Sequence, residues 1–101
     1  MDEELQMITV EIVAYAGDAR SKYMEALEAA SRGEYGKVES LIQEGNDLIT
    51  QAHNTQTAML QKEAAGEKLD MSFLMVHAQD HLMTVMLLRD LVKSLVNLYK
   101  K

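Results

Sequence analysis

The chain has 101 residues, which predicts a single domain over residues 1–101. It carries 16 Asp and Glu against 10 Lys and Arg, and the resulting net charge of −6 disfavours nucleic acid and anionic membranes as partners. No cysteine is present, which excludes disulfides, thiolate metal ligands and a thiol nucleophile. Proline is also absent and aromatic residues make up only 5%, so the composition favours an all-α protein over a sheet.

The sequence predicts a cytoplasmic protein that does not insert into a membrane. No apolar run comes close to the length of about 20 residues that a helix needs to cross a bilayer. The first residues, 1–5, are acidic. A secretory signal peptide instead begins with basic residues and continues with an apolar run.

The first predicted helix covers residues 2–32. Apolar residues recur there at alternating steps of three and four, which is typical of one face of a helix. This face consists of Leu5, Ile8, Ile12, Tyr15 and Ala19. Gly17 lies inside the helix and costs about 1 kcal/mol relative to Ala, so we expect close packing at that position. Gly33 is the expected C-terminal stop of the helix.

The second predicted helix covers residues 34–65, and two adjacent apolar stripes give it a wide apolar face. His53 and Gln56 are polar residues on that face, flanked by Ile49 and Leu60. We expect both side chains to be hydrogen-bonded inside the bundle, because buried polar groups need partners. The alternative is that they support the histidines of the third helix.

The third predicted helix covers residues 71–100, after a loop at 66–69 and with Asp70 or Ser72 as its N-cap. One stripe, called the seam below, has the alternating spacing of a coiled coil. The seam consists of Phe73, His77, Asp80, Thr84, Leu87, Leu91, Ser94 and Leu98. A second apolar stripe lies beside it, from Leu74 to Tyr99. This surface is too wide for a three-helix monomer, so we predict an antiparallel three-helix bundle whose third helix also contacts other subunits.

The third helix also carries the most distinctive polar cluster of the chain, formed by His77, Asp80 and His81. Spacings of three and four residues make these side chains neighbours on a helix. Three interpretations are open: polar residues that set the oligomeric state, a metal site, or a nucleophilic imidazole. Ala78 occupies the position of the general base in a His-Glu-x-x-His motif, so a zinc peptidase is not supported.

Residues 77–84, His-Ala-Gln-Asp-His-Leu-Met-Thr, resemble the signature of the IIA component of the lactose/cellobiose/chitobiose-type sugar phosphotransferase system. Residues 11–21 are similar to the first helix of lactose-type members. Ala52-His53 followed by Gln56-Thr57 resembles the second helix of the family. The resemblance covers nearly the whole chain, and no residue of 77–84 departs from the family pattern.

The resemblance implies a phosphocarrier that accepts a phosphoryl group from phospho-HPr on His77. It then passes the group to a cysteine of the cognate IIB protein, while a disaccharide enters through the membrane component IIC. Such a sugar would be lactose or a β-glucoside such as cellobiose or chitobiose. Gln79 and His81 are candidate donors to the phosphoryl oxygens, and His53 is a more distant candidate.

The resemblance also implies a homotrimer in which the third helices pack around a threefold axis. Asp80 from three chains would then bind a divalent cation, expected to be Mg²⁺, at that axis. The functional alternative is a non-catalytic helical oligomer with an axial metal site.

Overall fold

Three long helices make up almost all of the structure, a computed structural model that describes residues 3–69 and 71–101. Helix α1 spans Glu3–Ser31, α2 spans Val38–Ala64 and α3 spans Phe73–Tyr99. A single 3₁₀ turn at Tyr35–Lys37 precedes α2, and no strand occurs in the described residues. The bundle measures 50 × 21 × 19 Å. The predicted all-α three-helix bundle is therefore confirmed.

Contacts between the helices define their directions. Lys22 pairs with Glu44 at 3.1 Å and Lys62 pairs with Glu4 at 3.8 Å, so α1 and α2 run in opposite directions. Early residues of α1 contact early residues of α3, so these two helices run parallel. None of the helices that the structure describes combines the length and the apolar character needed to cross a bilayer.

Glycine and serine fix the helix ends. Gly33 has a φ of +74°, and the N–H of Glu34 donates to the carbonyl of Ala29 at 2.9 Å, which closes α1 as predicted. Ser72 caps α3, because its Oγ accepts a hydrogen bond from the N–H of Met75 at 3.1 Å. Asp70, the other predicted cap, lies outside the described residues.

Helix α1 contributes mostly small side chains to the core. Its fully or almost fully buried face includes Ala16, Ala19, Ala26, Ala29 and Ala30. Small residues let helix backbones approach closely. Larger buried side chains fill the remaining space, and they include Ile12, Tyr23, Ile49, Leu82, Val85 and Val92.

Tyr23 of α1 packs tightly against Gly45 of α2 in the core. The Tyr23 ring is fully buried, and its hydroxyl donates to Oδ1 of Asn46 at 2.7 Å. A Cβ added at Gly45 would lie 2.6 Å from Cε1 of Tyr23. Burial raises the pKa of Tyr23 to about 12. Gly45 therefore makes room for a large aromatic ring that holds α1 and α2 together.

The seam of α3 is uncovered by the other two helices. All eight seam residues are exposed, and Phe73 is 92% exposed. The core-facing stripe of α3 lies elsewhere on the helix and consists of Met75, Ala78, Leu82, Val85, Val92 and Val96. The prediction that α3 packs on its own two helices and leaves a second apolar surface free is confirmed. The contact of that surface with other subunits stays a prediction.

Substituting Gly45→Ala should destabilise the fold by about 1–3 kcal/mol, because the new methyl group displaces the Tyr23 ring. We expect this loss of stability even though Ala favours a helix more than Gly does. Urea unfolding at a fixed protein concentration measures it. Gly36→Ala is the matched control, since nothing lies within 4 Å of its added Cβ. Equal stability of the Gly45→Ala variant and the wild type would contradict this packing.

Candidate functional site

Two histidines stand side by side in the first half of α3. His77 and His81 are four residues apart, and their rings are almost parallel, with 6.3 Å between centroids and 2° between planes. His77 is exposed on the seam, whereas His81 is half-buried. The pair thus presents one imidazole that a partner molecule can reach and a second that the fold holds in place.

Helix α1 provides the wall beside His81. The Nε2 atom of His81 lies 3.7 Å from the position that a Cβ of Gly17 would take. This is ordinary van der Waals contact, so a methyl group at position 17 would fit beside the imidazole. Packing so close that it requires glycine, as expected at Gly17, is therefore not found in the single chain, but the structure shows that the neighbour of this position is one of the cluster histidines.

Gln79 turns away from the histidines and toward α2. Its Oε1 accepts a hydrogen bond of 2.6 Å from Nε2 of Gln56, and its own Nε2 donates to Sδ of Met75 at 3.5 Å. Within one chain the structure therefore brings His77 and His81 together but engages Gln79 elsewhere. Its role as a donor to phosphoryl oxygens stays a prediction. No sequence pattern indicated the Gln56–Gln79 hydrogen bond, because the two residues lie on different helices, 23 positions apart.

The two polar residues predicted inside the α2 face have different surroundings. The prediction is confirmed for Gln56, which is half-buried and hydrogen-bonded to α3. It is wrong for His53, which is exposed. The core-facing side of α2 is set by Ile49, Ala52 and Met59, and His53 lies beyond its edge. A supporting role of His53 in the site stays a prediction.

Asp80 is exposed on the seam, three residues after His77. No ion pair to Asp80 forms among the residues that the structure describes. Nor does any group of three His, Asp or Glu side chains in that part of the chain form a metal site. An exposed carboxylate does match the oxygen ligands that Mg²⁺ prefers. A site built on Asp80 would therefore need carboxylates from other chains.

The fold and this site define a small three-helix protein in which an exposed histidine, His77, stands beside a half-buried one, His81, on α3. Residues 7–100 match the family model described as "PTS system, Lactose/Cellobiose specific IIA subunit". The chain belongs to this lactose/cellobiose-specific IIA family of the phosphotransferase system, as the 77–84 signature predicted.

Individual relatives agree with this family. The "PTS system lactose-specific EIIA component" of Staphylococcus aureus strain N315 is 54% identical, and the match covers 98% of this chain and 96% of the relative. The cellobiose-specific enzyme IIA from Bacillus anthracis has a crystal structure with a TM-score of 0.94 and 36% identity, covering 99% of this chain and 92% of that one. A solution structure of the Escherichia coli IIA(Chitobiose)–HPr complex matches with a TM-score of 0.82 and 32% identity, covering 98% and 96%.

Proposed function

We propose that this component of the phosphotransferase system carries a phosphoryl group on His77. The donor is phospho-HPr, and the acceptor is a cysteine of the cognate IIB protein, which phosphorylates a disaccharide that enters through the membrane component IIC. The sugar is of the lactose or β-glucoside type. The observation that carries the proposal is the exposed His77 imidazole within the family match at residues 7–100. The E. coli relative solved in complex with HPr supports the donor.

The first transfer exchanges one phosphorus–nitrogen bond for another. A lone pair on one ring nitrogen of neutral His77 attacks phosphorus while the bond to the donor imidazole breaks. The donor ring carries a proton on its other nitrogen and leaves as neutral imidazole. In the second transfer a cysteine thiolate attacks phosphorus, and the electron pair of the breaking bond returns to His77. The protein's task in both steps is to align the partners and to stabilise the phosphoryl oxygens.

His81 is well placed to support His77. Its ring lies parallel to the His77 ring and packs beside position 17 of α1. An N–H of His81 can donate to a phosphoryl oxygen carried by His77. Gln79 can do so after it releases Gln56, or in a neighbouring chain. His53 is exposed on α2. It would approach the phosphoryl group only when a partner protein is bound.

The exposed seam supports a homotrimer. Its spacing is that of a coiled coil, and its apolar members Leu87, Leu91 and Leu98 are 59%, 47% and 65% exposed in the single chain. Packing three α3 helices around one axis would cover them. The same packing would bring three Asp80 carboxylates together, and these repel unless a cation or protonation neutralises them. Asp80 would then hold a divalent cation such as Mg²⁺, which supplies positive charge at the axis.

Incubation with phosphoenolpyruvate, enzyme I and HPr should add one acid-labile phosphoryl group, detected by intact-mass spectrometry. His77→Ala should abolish the addition, because no other exposed imidazole lies on the seam. Asn54→Ala changes an exposed residue of α2 and should leave the labelling unchanged. Equal labelling of His77→Ala and the wild type would show that His77 is not the acceptor.

Asp80→Leu should keep the three-chain mass in light scattering, because it replaces like charges at the axis with apolar side chains. The same variant should lose the binding of Mg²⁺ in calorimetry. Leu87→Glu is the matched change on the seam, and it should reduce the mass by placing new charges in the interface. A monomeric Asp80→Leu variant would instead mean that metal-bridged carboxylates hold the chains together.

A further inference from the structure

Arg20 lies on the side of α1 that carries the contact with the histidine pair. It follows Gly17 by three residues, so the two positions are neighbours on one face of the helix, about 4.5 Å apart along its axis. Gly17 is the position against which Nε2 of His81 packs. Long side chains on a helix lean toward its N-terminus. The Arg20 side chain therefore leans back toward the level of Gly17 and His81.

The charge of Arg20 is not used within the described part of the chain. Arg32 binds Glu28 at 2.9 Å, and Arg89 binds Asp90 at 3.1 Å. Arg20 is exposed and forms no ion pair or side-chain hydrogen bond with any described residue. The chain has 16 acidic residues and a net charge of −6, yet this arginine keeps all its donors free.

A basic side chain beside His77 would offset the negative charge of a phosphoryl group, and the first half of α3 does not contain one. Residues 71–88 contain no Lys or Arg, and the first base on α3, Arg89, is about 18 Å further along the axis than His77. Lys22, the other base of α1, is held by Glu44 of α2 at 3.1 Å. Asp80 adds negative charge close to the site. Among the described residues of α1 and α3, Arg20 is the unpaired cation on the flank that faces the histidines.

We propose that Arg20 binds the oxygens of the phosphoryl group while it is transferred to and from His77. This inference rests on the proposed function. The planar guanidinium offers paired N–H donors that match the spacing of phosphoryl oxygens. It forms no covalent bond and gives up no proton. Its charge offsets the negative charge on the equatorial oxygens as the bond to one nitrogen breaks and the bond to the next forms.

Rapid-quench phosphorylation of the full chain, at increasing concentrations of phospho-HPr, tests this role with Arg20→Gln, Arg20→Lys and the wild type. We expect Arg20→Gln to lower the rate at saturating donor by about 100-fold, the size of effect seen when one transition-state donor is removed. The half-saturating donor concentration should change much less. Arg20→Lys should recover part of the rate, because it restores the charge but not the paired donors. Arg32→Gln removes an arginine about 18 Å away along α1 and should match the wild type.

Three outcomes would overturn the inference. A wild-type rate for Arg20→Gln would exclude a role in transfer while leaving His77 as the acceptor. A rise in the half-saturating concentration alone would place Arg20 in docking rather than in transfer. Failure of the wild type to accept a phosphoryl group would overturn both the inference and the proposed function. Urea unfolding of Arg20→Gln separates loss of transfer from loss of fold, and we expect wild-type stability for this exposed position.

Discussion

The structure depends on one constraint: α3 carries more apolar surface than α1 and α2 can cover. Its core-facing stripe is buried, while the seam is exposed along the whole helix. Each Å² of apolar surface removed from water contributes about 25 cal/mol, so an uncovered seam favours association. His77 and Asp80 belong to the seam. The surface that favours assembly thus also carries His77, the proposed acceptor.

Helix α1 also contributes to the site, because it packs beside His81. Its core-facing side includes the fully buried Ala16 and Ala19, and a Cβ at Gly17 would be in van der Waals contact with the ring of His81. Arg20 lies one turn further on the same face. The packing of α1 against α3 therefore places His81 beside His77, the proposed acceptor.

The sequence predicted best those structural features that depend on one helix alone. Apolar periodicity placed the three helices, Gly33 and Ser72 marked two of their ends, and the width of the apolar surface predicted that α3 is not covered by α1 and α2 alone. These features depend on the helix repeat and on local backbone geometry.

Sequence reasoning failed where the position of one helix against another matters. His53 lies near the apolar stripes of α2 in sequence but falls outside the contact with its neighbours. The Gln56–Gln79 hydrogen bond depends on the relative position of two helices, which the packing of many side chains sets. The contact between Gly17 and His81 has the same origin. The glycine indicated close packing, but only the packed bundle shows that His81 is its neighbour and that a Cβ would fit between them.

Sedimentation equilibrium of the unmodified protein shows whether the exposed seam joins three chains. We expect one species at three times the 11.4 kDa chain mass, maintained down to low micromolar concentration. A mass of 11.4 kDa under those conditions would contradict a trimer, because the seam would then remain exposed to water.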